Sequence, residues 1–83
     1  MTGPRHQLVL PAVGGAGTGE ISEWYLETGQ HVAGGEPVVA IDIDKAMVDV
    51  PAPADGILTA LVEVGAQVRV GDVLGWIQAG PEV

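Results

Sequence analysis

The apolar positions of the chain fall into short runs with a two-residue period. Val39, Ile41 and Ile43 alternate with Ala40 and Asp42, and Val48 and Val50 flank Asp49. This is the pattern of strands with one buried face. A further run through Ile21, Tyr25 and Glu27 has mixed parity. Turn-forming residues separate the runs: Thr28-Gly29-Gln30, Gly34-Gly35-Glu36-Pro37, Pro53-Ala54-Asp55-Gly56, Gly65-Ala66-Gln67 and Gly71-Asp72. No window sustains a helical apolar pattern. Six short pieces so spaced predict an all-β sandwich or small barrel.

The chain also repeats itself. A shift of 36 residues lays Glu20–Asp42 on Gly56–Gln78, superposing Ile21 on Ile57, Gly29 on Gly65, Val32 on Val68, Gly35 on Gly71 and Ile41 on Ile77. Ahead of that block the shift is 40, with Leu8, Leu10, Pro11 and Ala12 falling on Val48, Val50, Pro51 and Ala52. The first copy therefore carries four extra residues within Val13–Gly19. Two copies are too few for a solenoid, which needs three or more units. A closed pair of half-domains related by a pseudo-twofold axis is the expectation, with residues 1–79 forming the domain. Residues 80–83 read as the start of a linker or a frayed C-terminus.

Composition narrows the picture. Leu, Ile and Val supply 24 of 83 residues, well above the roughly one-fifth below which chains stay disordered. There is no Phe, and with no Cys the domain has neither a disulfide staple nor a thiolate metal site. Net charge is −8, from three bases (Arg5, Lys45, Arg69) against eleven acids. Such a surface repels phosphate backbones and anionic lipid, which argues against nucleic-acid and membrane partners. The longest uncharged stretch, Leu8–Gly19, is interrupted by Pro11 and several glycines and is too short to span a bilayer. The expected location is the cytoplasm.

Lys45 is the only lysine. If Asp44 and Lys45 form a two-residue hairpin loop, Ile43 faces Ala46, Ile41 faces Val48 and Val39 faces Val50. The intervening pairs, Asp42–Met47 and Ala40–Asp49, take the polar residues. The register that keeps one face apolar is thus the register that puts Lys45 at the hairpin tip. Because lysine disfavours positive φ, a type I turn or a slightly wider loop is expected there.

At this point the chain resembles a known family. Asp44-Lys45-Ala46, followed by Val48-Asp49-Val50-Pro51-Ala52-Pro53-Ala54-Asp55-Gly56, is similar to the lipoyl domain of 2-oxoacid dehydrogenase acyltransferases. The similarity extends from Leu10-Pro11 through Gly19-Glu20-Ile21, Trp24-Tyr25-Leu26 and Gly35-Glu36-Pro37 to Val73-Leu74. The resemblance implies a flattened barrel of two four-stranded antiparallel sheets. It also implies lipoic acid joined by an amide to Lys45, with Asp44 and Ala46 read by the enzyme that attaches it. The carrier would itself catalyse nothing. Its arm would shuttle acyl groups between a thiamine-dependent 2-oxoacid dehydrogenase, the acyltransferase core and dihydrolipoamide dehydrogenase. A lipoate ligase or lipoyl transferase would load it, and the isolated domain would be monomeric. Biotinyl domains look similar but set their lysine between methionines, whereas Lys45 follows Asp44. A biotin carrier and an unmodified interaction module are the alternative readings.

Other candidates carry less. Gly14-Gly15-Ala16-Gly17-Thr18-Gly19 mimics a phosphate cradle, but no Gly-Lys-Ser/Thr follows and Glu20 stands where a third glycine is required. The resemblance implies instead that this loop helps the dehydrogenase recognise its carrier, with Gly15 where family members usually have an acid. Asp42, Asp44 and Asp49 fail the calcium-loop pattern and read as a solvated acidic rim. His6 and His31 lack metal-ligand spacing and read as surface residues; Trp24 and Trp76 read as packing residues.

Overall fold

The computed structural model describes residues 5–12 and 17–79, so the proposed tail 80–83 and Gly14-Gly15-Ala16 of the glycine-rich loop lie outside the described residues. Eight strands follow one another: β1 Arg5–Val9, β2 Thr18–Trp24, β3 His31–Val32, β4 Pro37–Ile43, β5 Ala46–Pro51, β6 Gly56–Ala60, β7 Gln67–Arg69 and β8 Val73–Gln78. The periodicity resolved six pieces. β3 and β7, of two and three residues, are too short for an alternating pattern to register.

The strands form two four-stranded sheets, ordered β1-β8-β6-β3 and β5-β4-β2-β7, antiparallel at every ladder. The internal repeat is the operation that exchanges the sheets. β1 corresponds to β5, β2 to β6, β3 to β7 and β4 to β8, so each strand keeps its place in the other sheet. Between β1 and β5 the ladders correct the shift read from the sequence: Leu8 opposes Gly75 as Val50 opposes Val39, so Leu8 answers Val50 and not Val48, a shift of 42 and not 40. The loops repeat as well. Gly35 N–H donates to the Ala52 carbonyl and Gly71 N–H to the Leu10 carbonyl, and the Glu36 and Asp72 carboxylates cap the Ala33 and Arg69 amides.

One core fills the space between the sheets. Ile21, Val38, Val39, Ile41, Leu58, Leu74 and Ile77 are fully buried, joined by Leu8, Leu10, Val32, Ile43, Val50 and Val68. Each large side chain so removed from water contributes about 1.5–3 kcal/mol. Branched aliphatics do this without aromatic bulk because the layers are thin and the strands pleated. No buried polar side chain occurs among the described residues. The mixed parity around Ile21 has a local cause. Glu20 opposes Asp42 and Ile21 opposes Ile41, but Glu23 opposes Ala40, so Ser22 is a bulge that resets the alternation.

Gly75 shows how tightly the other sheet is built. It pairs with both Leu8 and Ala60, and a Cβ on it would collide with the Thr59 carbonyl oxygen. Backbone, unlike a side-chain tip, cannot give way. We expect Gly75→Ala to lose about 2 kcal/mol of stability, within the overpacking range, as a lowered urea midpoint. An unchanged midpoint would mean that β6 and β8 are not packed this closely.

Candidate functional site

The β4–β5 hairpin has the register anticipated from its apolar face: Ile43↔Ala46, Asp42↔Met47, Ile41↔Val48, Ala40↔Asp49 and Val39↔Val50. Val39, Ile41, Ile43 and Val50 are buried, and Val48 packs against the same core. The hairpin is therefore fastened along its inner face up to Ile43. Asp44, Lys45 and Ala46 are exposed at its tip. The Lys45 amine meets no hydrogen-bond or ionic partner among the described residues.

The turn differs from the expectation. Asp44 has φ +52° and Lys45 φ +69°, which places both residues in the left-handed region, as a primed two-residue turn requires. The expected type I turn or wider loop is not what forms. A type I turn would splay the right-twisted strands, while the primed turn continues their twist. The register, held by buried residues, overrides the local preference of lysine. Asp44 tolerates this conformation through its short polar side chain, but for Lys45 it costs about 1–2 kcal/mol. The tip is thus stiff and slightly strained.

The acids around the tip face solvent. Asp42, Asp44 and Asp49 are all exposed, and no group of three metal-binding side chains converges among the described residues. Asp49 has a partner the sequence did not disclose: the Tyr25 hydroxyl donates to its Oδ1 at 2.8 Å. Tyr25 follows β2, and its amide donates to the Val38 carbonyl. The ring thus crosses the outer face of β4 beside Ala40, which is only 2% exposed. The hydrogen bond to the carboxylate raises the Tyr25 pKa, with smaller contributions from desolvation and the charges of Asp49 and Glu23. The pairing spans 24 residues, and the Ser22 bulge hid which face Tyr25 would occupy.

The two tryptophans have separate roles. Trp24 packs against the core and donates its indole N–H to the Val62 carbonyl at 3.0 Å. Trp76 opposes Gln7 and Thr59 on the other sheet, and the Arg5 guanidinium lies 4.4 Å over its ring. It is not a core residue. His31 is exposed and His6 half-buried.

This hairpin, on this double-sheet body, is shared with known proteins. A family model described as "Biotin-requiring enzyme", covering biotinyl and lipoyl domains, matches residues 6–77. The chain belongs to that family. It is 33% identical over 76 residues to the dihydrolipoyllysine-residue succinyltransferase component of the 2-oxoglutarate dehydrogenase complex of Bartonella vinsonii, and 38% over 61 residues to that of Escherichia coli. It is 29% identical over 66 residues to the acetyltransferase component of the pyruvate dehydrogenase complex of Pseudomonas aeruginosa. These alignments take in 89%, 72% and 78% of the chain but 18%, 15% and 12% of the relatives, which are far longer. The lipoyl domain of the 2-oxoglutarate dehydrogenase complex of Azotobacter vinelandii superposes with a TM-score of 0.70 at 27% identity. That match covers 89% of this chain and 99% of that domain. The all-β, two-sheet expectation therefore holds, and so does the resemblance to lipoyl domains of acyltransferase components.

Two outcomes test the site. Lys45→Gly relieves the left-handed cost and should stabilise the fold by about 0.5–1 kcal/mol after the entropy of glycine is subtracted; destabilisation would argue against the primed turn. Tyr25 is the only tyrosine, so tyrosinate absorbance titrates it alone. Its pKa is raised in the folded state, so the stabilisation it supplies is present below the ordinary tyrosine range and lost as pH rises through the raised value. Asp49→Asn should bring the titration back toward the ordinary value, and an unshifted curve would mean that the hydrogen bond is absent in solution.

Proposed function

We propose that this lipoyl-family domain is a carrier whose lipoic acid is attached through Lys45, with Asp44 and Ala46 presenting the turn to a lipoate ligase or lipoyl transferase. The observation that carries the reading is the placement of the sole lysine, exposed and unpartnered, at the tip of a hairpin anchored by buried residues. An acceptor amine must be reachable by a modifying enzyme, and a carrier arm must pivot on a fixed base. Both needs are met by a tip that is solvated while its strands are not.

When attached, lipoate supplies a dithiolane able to take up and release acyl groups and electrons. The chain supplies position. A side chain extended by lipoate reaches on the order of 14 Å from the Lys45 Cα, by summing bond projections. A stiff hairpin raises the effective concentration of the arm's end at successive active sites without tight docking. The acidic rim keeps the tip hydrated. In this reading the domain catalyses no step and works in the cytoplasm. Its partners in this reading are a thiamine-dependent 2-oxoacid dehydrogenase, an acyltransferase core and dihydrolipoamide dehydrogenase; the relatives' names, acyltransferase components of 2-oxoacid dehydrogenase complexes, support a place in such a complex.

Intact mass after coexpression with a lipoate ligase tests the proposal. We expect a single lipoyl increment on the parent and none on Lys45→Ala, with Lys45→Ala stability within about 0.5 kcal/mol of the parent. A biotin increment instead, or a parent of unmodified mass in the presence of lipoate and an active ligase, contradicts the reading.

A further inference from the structure

The end of the molecule far from Lys45 carries a second feature. β7 ends with Arg69 paired to Thr18, just beyond the Glu20–Asp42 pair that leads to the hairpin tip. β8 therefore starts at the tip end and runs away from it to Gln78, where Arg5 is its partner. There a cavity of about 640 Å³ is lined by Arg5, His6, Gln7, Pro53 and Trp76. A second hollow of about 250 Å³, walled by Val9, Val50 and Pro51 among others, shares Gln7 and Pro53 with it. The two form one trough between β1 and β5, each an edge strand of its sheet.

We propose that this trough is a docking site for an extended acidic peptide segment of a partner protein. Charge complementarity selects the occupant. The chain has eleven acids and three bases, yet the described residues lining the trough include Arg5 and no carboxylate. Stacking on Trp76 fixes the plane of the guanidinium and leaves its N–H edge free to pair with a carboxylate. The geometry selects an extended conformation. An edge strand offers unpaired N–H and C=O groups to an added strand. On the opposite wall Pro51 and Pro53 lack N–H donors, so β5 does not close the trough by pairing with β1. Val9, which is 38% exposed and lies on the same face of β1 as Arg5, accepts an aliphatic side chain an even number of residues from the acidic one that pairs with Arg5. Docking here leaves the Lys45 end free, and it does not depend on Lys45 being modified.

The test is a titration of the unmodified full chain, followed by amide and indole NMR shifts. The probe is the blocked hexapeptide Glu-Thr-Val-Thr-Glu-Thr, whose extended form shows Glu and Val on one face, and the counter-probe replaces Glu with Lys. We expect shifts confined to Arg5–Val9 and the Trp76 indole with the Glu probe only, weakened about tenfold or more by Arg5→Gln, as for loss of a hydrogen bond to a charged group. The Trp24 indole resonance should stay in place in that variant, showing an intact fold. No shifts at millimolar probe, equal shifts with the Lys probe, or indifference to Arg5→Gln would overturn the proposal. So would groove shifts that appear without peptide as protein concentration rises, which would assign the trough to a second copy. Shifts on removing residues 80–83 would assign it to the chain's own tail and also overturn it.

Discussion

The pairing of Val39, Ile41 and Ile43 with Val50, Val48 and Ala46 is the constraint on which the rest of the molecule depends. A strand exposes alternate residues to opposite sides, so slipping β5 by one position along β4, which β2 holds from its other edge, would turn Val48 and Val50 toward water and Asp49 toward the core. Burial of the inner face makes that slip costly by several kcal/mol. Everything distinctive about the tip follows: where the chain reverses, which two residues make the reversal, and why one of them adopts a conformation it would not choose locally.

The same reasoning shows why the fold is doubled. A single four-stranded sheet with one apolar face cannot bury it alone. The internal repeat supplies a matching face, and the pseudo-twofold axis brings the two together with their short loops in corresponding places. The copies diverge where their tasks diverge. In the first, β4 turns through Asp44 and Lys45 into β5. At the equivalent place in the second, β8 ends against the start of β1, and that corner is occupied by Arg5 and Trp76 instead of an exposed amine.

Much of this was legible from residue order alone. The hairpin register, the equivalence of the two halves and the exposed lysine all follow from apolar alternation and self-similarity, signals that survive because buried faces tolerate few exceptions. Three features were not. The primed turn opposes the intrinsic preference of Lys45 and appears only once the twist of the paired strands is known. The Tyr25–Asp49 contact joins residues whose facing depends on the bulge at Ser22. Trp76 falls on Ala40 in the repeat, an outward position of β4, and it too lies on an outer face; what residue order did not disclose is that the Arg5 guanidinium stacks on its ring, a contact between strands far apart in sequence.

The claim that buried pairing sets the place of Lys45 is most directly examined by cross-strand Hα–Hα nuclear Overhauser contacts in the hairpin. In a two-residue loop the residues flanking it form a hydrogen-bonded pair, and the pairs next to that bring their Cα atoms closest. The account predicts strong Hα contacts between Asp42 and Met47 and between Ala40 and Asp49, with none between Ile41 and Met47. Strong contacts in a register displaced by one residue would contradict it, because Lys45 would then no longer stand at the turn.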